Sequence, residues 1–200
     1  MNAAAKMMRF PFSIIPVLLV GCAQPPAAPS FATCESLDSL ALGSRIVIGP
    51  PPINSFQPPT MDIAAHPFTW RNGTMTSNGY AEIQSAGRAG GSRNEMAVNN
   101  LLVSISVGFG QTLQAVRISF GEYGGNLNVS VNNDFRNFDD FAQINGTTIG
   151  GVQVSVPSGG LGNDLGQIEF VGTMTDQASG LGQLAVGGQE LWIDDICFDR

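Results

Sequence analysis

The sequence predicts an all-β fold: a β-sandwich of the jelly-roll kind, with about nine strands and with the N- and C-terminal strands adjacent. Three observations predict it. Helical periodicity is nearly absent, and short β-branched and aromatic runs recur between clusters of Gly, Asn and Pro. Within the clearest runs apolar and polar residues alternate, as in Leu127-Asn128-Val129-Ser130-Val131 and Val152-Gln153-Val154-Ser155-Val156, which suits a sheet with one buried and one solvated face. Finally, Cys34 and Cys197 lie at opposite ends of the β-rich region, and a disulfide between them would make the first and last strands neighbours.

In chain order, strands are expected near residues 40–48, 79–85, 101–109, 113–121, 126–132, 151–156, 166–174, 182–186 and 189–198. Pro50, Pro51, Pro52, Pro58 and Pro59 mark an irregular segment after the first of these. Asn72-Gly73, Asn78-Gly79 and Asn145-Gly146 are turn signals, because both residue types tolerate positive φ. The stretch from Asn133 to Phe141 reads as a loop or turn in which Phe135, Phe138 and Phe141 pack one face onto the core. His66, next to Pro67, reads as a surface residue of a loop.

Ahead of the β-rich region the chain carries a different signature. Lys6 and Arg9 precede an apolar run from Phe10 to Gly21 that two prolines interrupt, which is too short for a membrane span and the right size for a signal peptide. Leu19-Val20-Gly21-Cys22 resembles the lipobox of bacterial lipoproteins, in which the Cys becomes the acylated first residue of the mature chain; the resemblance implies lipidation at Cys22 and a membrane anchor. Ala23 follows, and by the same resemblance a chain from a Gram-negative cell would go to the outer membrane. The expected organisation is a signal peptide over 1–21, a Pro/Ala-rich tether over 22–32 and a sandwich domain over 33–200.

Charge narrows the partners. The chain has nine Lys plus Arg against sixteen Asp plus Glu, and loss of Lys6 and Arg9 with the leader leaves a remainder of −9 whose only bases are Arg. Such a surface is unsuited to nucleic acid, whose backbone calls for a basic patch.

The most distinctive segment is the last, Gly187-Gly188-Gln189-Glu190-Leu191-Trp192-Ile193-Asp194-Asp195-Ile196-Cys197-Phe198. Its Leu-Trp-Ile-Asp-Asp-Ile-Cys-Phe run resembles the final strand of bacterial carbohydrate-binding modules and galactose-binding-like domains, and Gly124-Gly125-Asn126 and Gly150-Gly151-Val152 fit the same general kind. The resemblance is architectural and covers about half the chain. It implies a jelly roll and a glycan ligand. It further implies a structural Ca²⁺ held by Asp194 or Asp195 with Glu35 or Asp38, since that ion takes roughly six to eight oxygens; no other cofactor is expected. A sugar site needs exposed aromatic faces beside planar polar groups, and the candidates are Trp70 with Arg71, Tyr123, and the polar face of Asn126 and Asn128.

Catalysis has little support in these residues. His66 is the only His, the Gly-x-Ser-x-Gly nucleophile elbow is missing, and the sequence lacks the His and Cys clusters of a zinc centre. The expected function is therefore a lipid-anchored, non-catalytic binding module of the cell envelope, for glycan or polysaccharide. The alternative is a structural or adhesive envelope lipoprotein with a protein partner. A glycoside hydrolase is a third reading and would need two carboxylates roughly 5–9 Å apart in a cleft.

Overall fold

The computed structural model describes residues 29–50, 52–91, 93–107, 112–159, 164–172 and 180–200. The expected signal peptide over 1–21 and the expected lipidation site Cys22 lie outside them. No helix among the described residues is long and apolar enough to cross a membrane.

The described residues form sixteen strands and one short 3₁₀ turn, Phe141–Ile144. The strands are β1 (Thr33–Glu35), β2 (Arg45–Val47), β3 (Ser55–Phe56), β4 (Asp62–Thr69), β5 (Met75–Thr76), β6 (Tyr80–Gln84), β7 (Glu95–Asn99) and β8 (Leu101–Ser106) in the first half. The second half holds β9 (Ala115–Glu122), β10 (Leu127–Val131), β11 (Asp134–Phe138), β12 (Thr148–Ile149), β13 (Val152–Ser158), β14 (Asp164–Gly172), β15 (Leu184–Gly188) and β16 (Leu191–Asp199). Two antiparallel sheets result. The first runs β12-β13-β14-β9-β16-β7-β6-β2, with β1 added beside β16; the second runs β11-β10-β15-β8-β4-β3, with β5 added beside β4. From β7 onward the chain passes back and forth between the sheets, the wiring a jelly roll uses.

The alternating sequences explain the layering. Val116, Ile118 and Phe120 of β9 and Ile168 and Phe170 of β14 point inward from the first sheet and are buried. Val103 and Ile105 of β8, Val129 and Val131 of β10 and Val186 of β15 do the same from the second. Burying side chains of this size stabilises by about 1.5–3 kcal/mol each.

The nine expected strands are all present, several with shorter or shifted bounds, but the fold has further strands the residue pattern did not mark. The most consequential is β4, which contains Pro67. Proline lacks the N–H that a central strand uses. Here the Ala65 N–H bonds Asn54 O on the β3 side, so position 67, two residues on, turns its nitrogen the same way. On that side β3 pairs only with Ile63 and Ala64, and β5 only with Phe68 and Thr69. Pro67 therefore falls in the gap between them, where no donor is called for. His66 is exposed as expected, but on a strand. The expected loop at 133–141 is also a strand in part: Phe138 and Phe141 are buried, whereas Phe135 on β11 is 42% exposed.

The terminal strands are adjacent. Cys34 stands opposite Cys197 in the β1–β16 ladder and the two form a disulfide with an S–S distance of 2.05 Å. Their separation of 163 residues gives about 5 kcal/mol on the chain-entropy estimate. The Ile-Asp-Asp-Ile segment has a structural explanation. Ile193 and Ile196 both face the core although they are three residues apart, which strict alternation forbids. A bulge between Asp194 and Cys197 absorbs the extra residue, with Asp195 at φ 45°. Asp is one of the few side chains that tolerate this region.

Candidate functional site

The proposed ligand-binding residues gather in two assemblies, and the structure adds a third place, a groove. Trp70, Arg71, Asn126 and Asn128 come together at one end of the second sheet, and the two Asn side chains are almost fully buried, at 4% and 0% exposure. They hold the chain rather than face solvent. The Thr69 N–H donates to Asn128 Oδ1 at 2.8 Å, and Asn128 Nδ2 donates to Thr69 O at 2.9 Å. Asn137 Nδ2 adds a second donor to Thr69 O at 2.7 Å. Asn126 Oδ1 accepts from the Arg71 N–H at 3.0 Å, and its Nδ2 donates to Asn137 Oδ1 at 2.7 Å. A carboxamide carries the same donor–acceptor pair as a peptide unit, so these three Asn replace a missing strand partner for residues 69–71. Trp70 meets buried Phe68 edge-on, with centroids 5.2 Å apart, and Arg71 pairs with Asp139. Each member of this cluster is thus already engaged within the chain.

Tyr123 belongs to a second assembly, on the outer face of the first sheet. Residues 85–91 form a strap between β6 and β7 that lies across β16 and β9. The buried carboxylate of Glu95 organises it: Oε1 accepts from the N–H groups of Ala86 (3.1 Å) and Arg88 (3.0 Å), and Oε2 from that of Ala89 (2.6 Å). Tyr123 Oη donates to Arg88 O at 3.2 Å. The Arg88 guanidinium lies 4.5 Å from the centre of the Trp192 ring and 5.2 Å from that of Tyr123, and the two rings meet at 86°. Glycines permit the close approach. A Cβ on Gly121 would lie 1.8 Å from Arg88 O, and one on Gly91 would lie 1.8 Å from Asp194 Oδ2.

Asp194, beneath the strap, is fully buried. Its Oδ1 accepts from the Asp195 N–H at 2.8 Å, while Oδ2 has no hydrogen-bond partner among the described residues. Burial, with the negative charges of Asp195, Asp38 and Glu95 around it, pushes its carboxyl up to about 7. The four residues suggested for Ca²⁺ do not assemble into a cage. Glu35 accepts from Thr60 Oγ1 at 2.9 Å, Asp38 from the Asn94 N–H at 3.0 Å, and Asp195 sits on the bulge. Among the described residues, no group of three or more His, Cys, Asp or Glu side chains is placed to hold a metal ion. The expectation of calcium at Glu35, Asp38, Asp194 and Asp195 therefore has no geometric support.

The third part is a groove that the sequence did not single out, on the outer face of the second sheet. Register places Ala64, Ser104, Ala185 and Ser130 in one row across four strands. The small side chains of Ser104, Ala185 and Ser130 in this row line an open cavity of about 390 Å³, within the range of ligand sites. His66, Ser104, Ser106, Ser130 and Gln183 supply polar groups, and Leu102 is part of the apolar lining. His66 Nε2 and Ser104 Oγ share a hydrogen bond of 2.8 Å. Partial burial lowers the imidazole below its usual 6.5, which favours its neutral form. The described residues lining the groove include no Asp, Glu, Lys or Arg. Alternation along β4 and β8 was the signal available for this face, and Pro67 obscured it in β4.

No protein-family model, no curated protein and no solved structure matches this chain.

Proposed function

We propose that this chain is a lipid-anchored, non-catalytic binding module of the cell envelope, and that it takes a neutral glycan on the outer face of the second sheet. The groove carries this reading. Hydroxyls, an imidazole and a carboxamide offer both donors and acceptors to ligand hydroxyls, over an apolar lining and without a fixed charge. A glycosidase cleft would need two carboxylates, and the described residues lining the groove carry none, which favours the binding reading. Ser104 is a poor nucleophile candidate despite its His, because β8 is paired on both sides at this residue and its strand N–H groups are committed to the ladders. The lipobox resemblance supports the anchor, and the resemblance of the last strand to carbohydrate-binding modules supports the ligand class.

The structural or adhesive reading is favoured by one observation: Trp70 and Tyr123, which a lectin would present freely, are half-buried and engaged with their own chain. One experiment separates the two. Soluble protein spanning residues 31–200 is titrated with a panel of neutral and charged polysaccharides, with and without Ca²⁺. The groove reading expects saturable binding of a neutral polymer, indifferent to Ca²⁺, that is lost in Ser104→Leu and Gln183→Ala and kept in Trp70→Phe. Folded protein that binds no member of the panel would overturn it and leave the structural reading.

A further inference from the structure

We infer that the outer face of the first sheet carries a recognition site for a cationic side chain, a guanidinium or ammonium group on a basic peptide segment, and that Arg88 occupies this site as a tethered plug. The inference is independent of the groove on the other sheet.

Three features converge on one spot. The first is the aromatic pair, Trp192 and Tyr123, set nearly at right angles, with a guanidinium already lying over both. Such rings attract cations through the negative face of the π-system. The second is Asp194, two residues along β16 on the same face, about 7 Å away by strand geometry. It is fully buried, and its Oδ2 has no partner among the described residues. A buried carboxylate oxygen without a donor is costly, and a cationic donor is the partner that relieves it most. The third is the Trp192 Nε1 donor, also buried and without a partner among the described residues, which a peptide carbonyl beside the bound side chain would satisfy.

The surrounding charge fits a cation. Asp38, Glu95 and Asp195 all add negative potential at Asp194, and the whole chain has a formal net charge of −7. Arg88 meets only part of this demand. Among the described residues it makes no ion pair; the pairs found there use Arg45, Arg71 and Arg136. Its backbone is held independently of its side chain, through Glu95 to its N–H and Tyr123 Oη to its C=O. Truncating the side chain therefore empties the rings, and a bound cation reaches Asp194 Oδ2 once residues 90–91 of the strap lift off it, since Gly91 lies against that oxygen.

The test uses the full chain in detergent and a fluorescent acetyl-Gly-Arg-Gly-Arg-Gly-amide peptide, with binding read by anisotropy at low ionic strength. Arg88→Gln is expected to bind at least tenfold more tightly than the wild type. Adding Asp194→Asn should remove that gain, whereas Asp62→Asn, a like change of net charge on the other sheet, should leave it. The same peptide with citrulline in place of arginine should bind neither protein. Tyr123→Phe, which frees Arg88 O but keeps the ring, is the second variant and should tighten binding several-fold, so the inference stays testable if Arg88→Gln does not fold. It is overturned if folded Arg88→Gln, or Tyr123→Phe in its place, binds no better than wild type. It is equally overturned if Asp62→Asn weakens binding as much as Asp194→Asn, which would mean attraction to net charge only.

Discussion

Gly91 lies directly against the carboxylate of Asp194: a Cβ at position 91 would stand 1.8 Å from Oδ2. The contact closes the strap over a carboxyl held up to about 7, well above its ordinary 3.8. The folded protein thus holds this proton more tightly than the unfolded chain does. Its contribution to stability is full below about pH 4, declines as pH rises toward 7, and is level above that. Thermal unfolding between pH 5 and 8.5 should show wild type losing stability with rising pH, and Asp194→Asn losing clearly less. Equal slopes would show that Asp194 is hydrated in the folded state.

Gly91→Ala should destabilise the strap through the same contact. The methyl group has no room unless residues 90–91 lift, which also draws Arg88 off Trp192. Amide exchange is expected to accelerate at residues 86, 88 and 89, whose N–H groups bond Glu95, while the β9 and β14 amides stay protected. Unchanged exchange at the strap would contradict the geometry.

Asn128→Ala is expected to cost about 2–4 kcal/mol in urea unfolding, since it strips a buried donor and acceptor from the Thr69 peptide. Asn128→Asp should cost at least as much, because it places a charge in a fully buried position. A loss under about 1 kcal/mol would mean that water replaces the carboxamide.

Pro67→Ala should change stability by less than about 1 kcal/mol, because the N–H it restores faces the gap between β3 and β5. Ala65→Pro, two residues earlier, removes the bond to Asn54 O and should cost about 3 kcal/mol or more. Urea midpoints of the two variants give the comparison, and a similar loss in both would refute the assignment of the gap.

Replacing Cys34 and Cys197 together with Ser should lower stability by about 3–5 kcal/mol, since a closed loop of 163 residues is opened. Wild type unfolded under reducing conditions should match the double variant. A gap between the two curves would point to an effect of the serines themselves.

Much of the architecture could be read in advance. Alternation in β10 and β13 identified two strands with one apolar face. Two cysteines at the ends of the region foretold that the chain on either side of the disulfide pairs, although the first strand expected, at 40–48, became β2 beside β6 and the partner of β16 is the unmarked β1. The turn signals worked for a physical reason where Gly73 and Gly146 take positive φ, at 83° and 74°. Asn78-Gly79 had a different cause, since a Cβ on Gly79 would lie 1.9 Å from Asn100 O. The strands missed were those whose local signal was overruled: β4 by Pro67, β7 by its nearly continuous burial, β11 by its run of polar and aromatic residues, and β1, β3, β5 and β12 by their length of two or three residues.

The candidate site was legible only in part, and the distinction is one of range. Residue types and period 2 determine which side chains point in or out along a strand, so the all-β class and the inward apolar set followed from the sequence by itself. They do not determine what crosses above a face. Whether Asn128 meets water or Thr69, 59 residues away, was decided by how β4 leaves its sheet. Whether Trp192 is an open platform or lies under Arg88 was decided by a strap from another pair of strands. The groove exists because β8, β15 and β10 bring Ser104, Ala185 and Ser130 into one row, with His66 of β4 beside them. Such juxtapositions rest on strand register and crossing, which are set by packing between segments far apart in the chain, and the tertiary structure alone decided them.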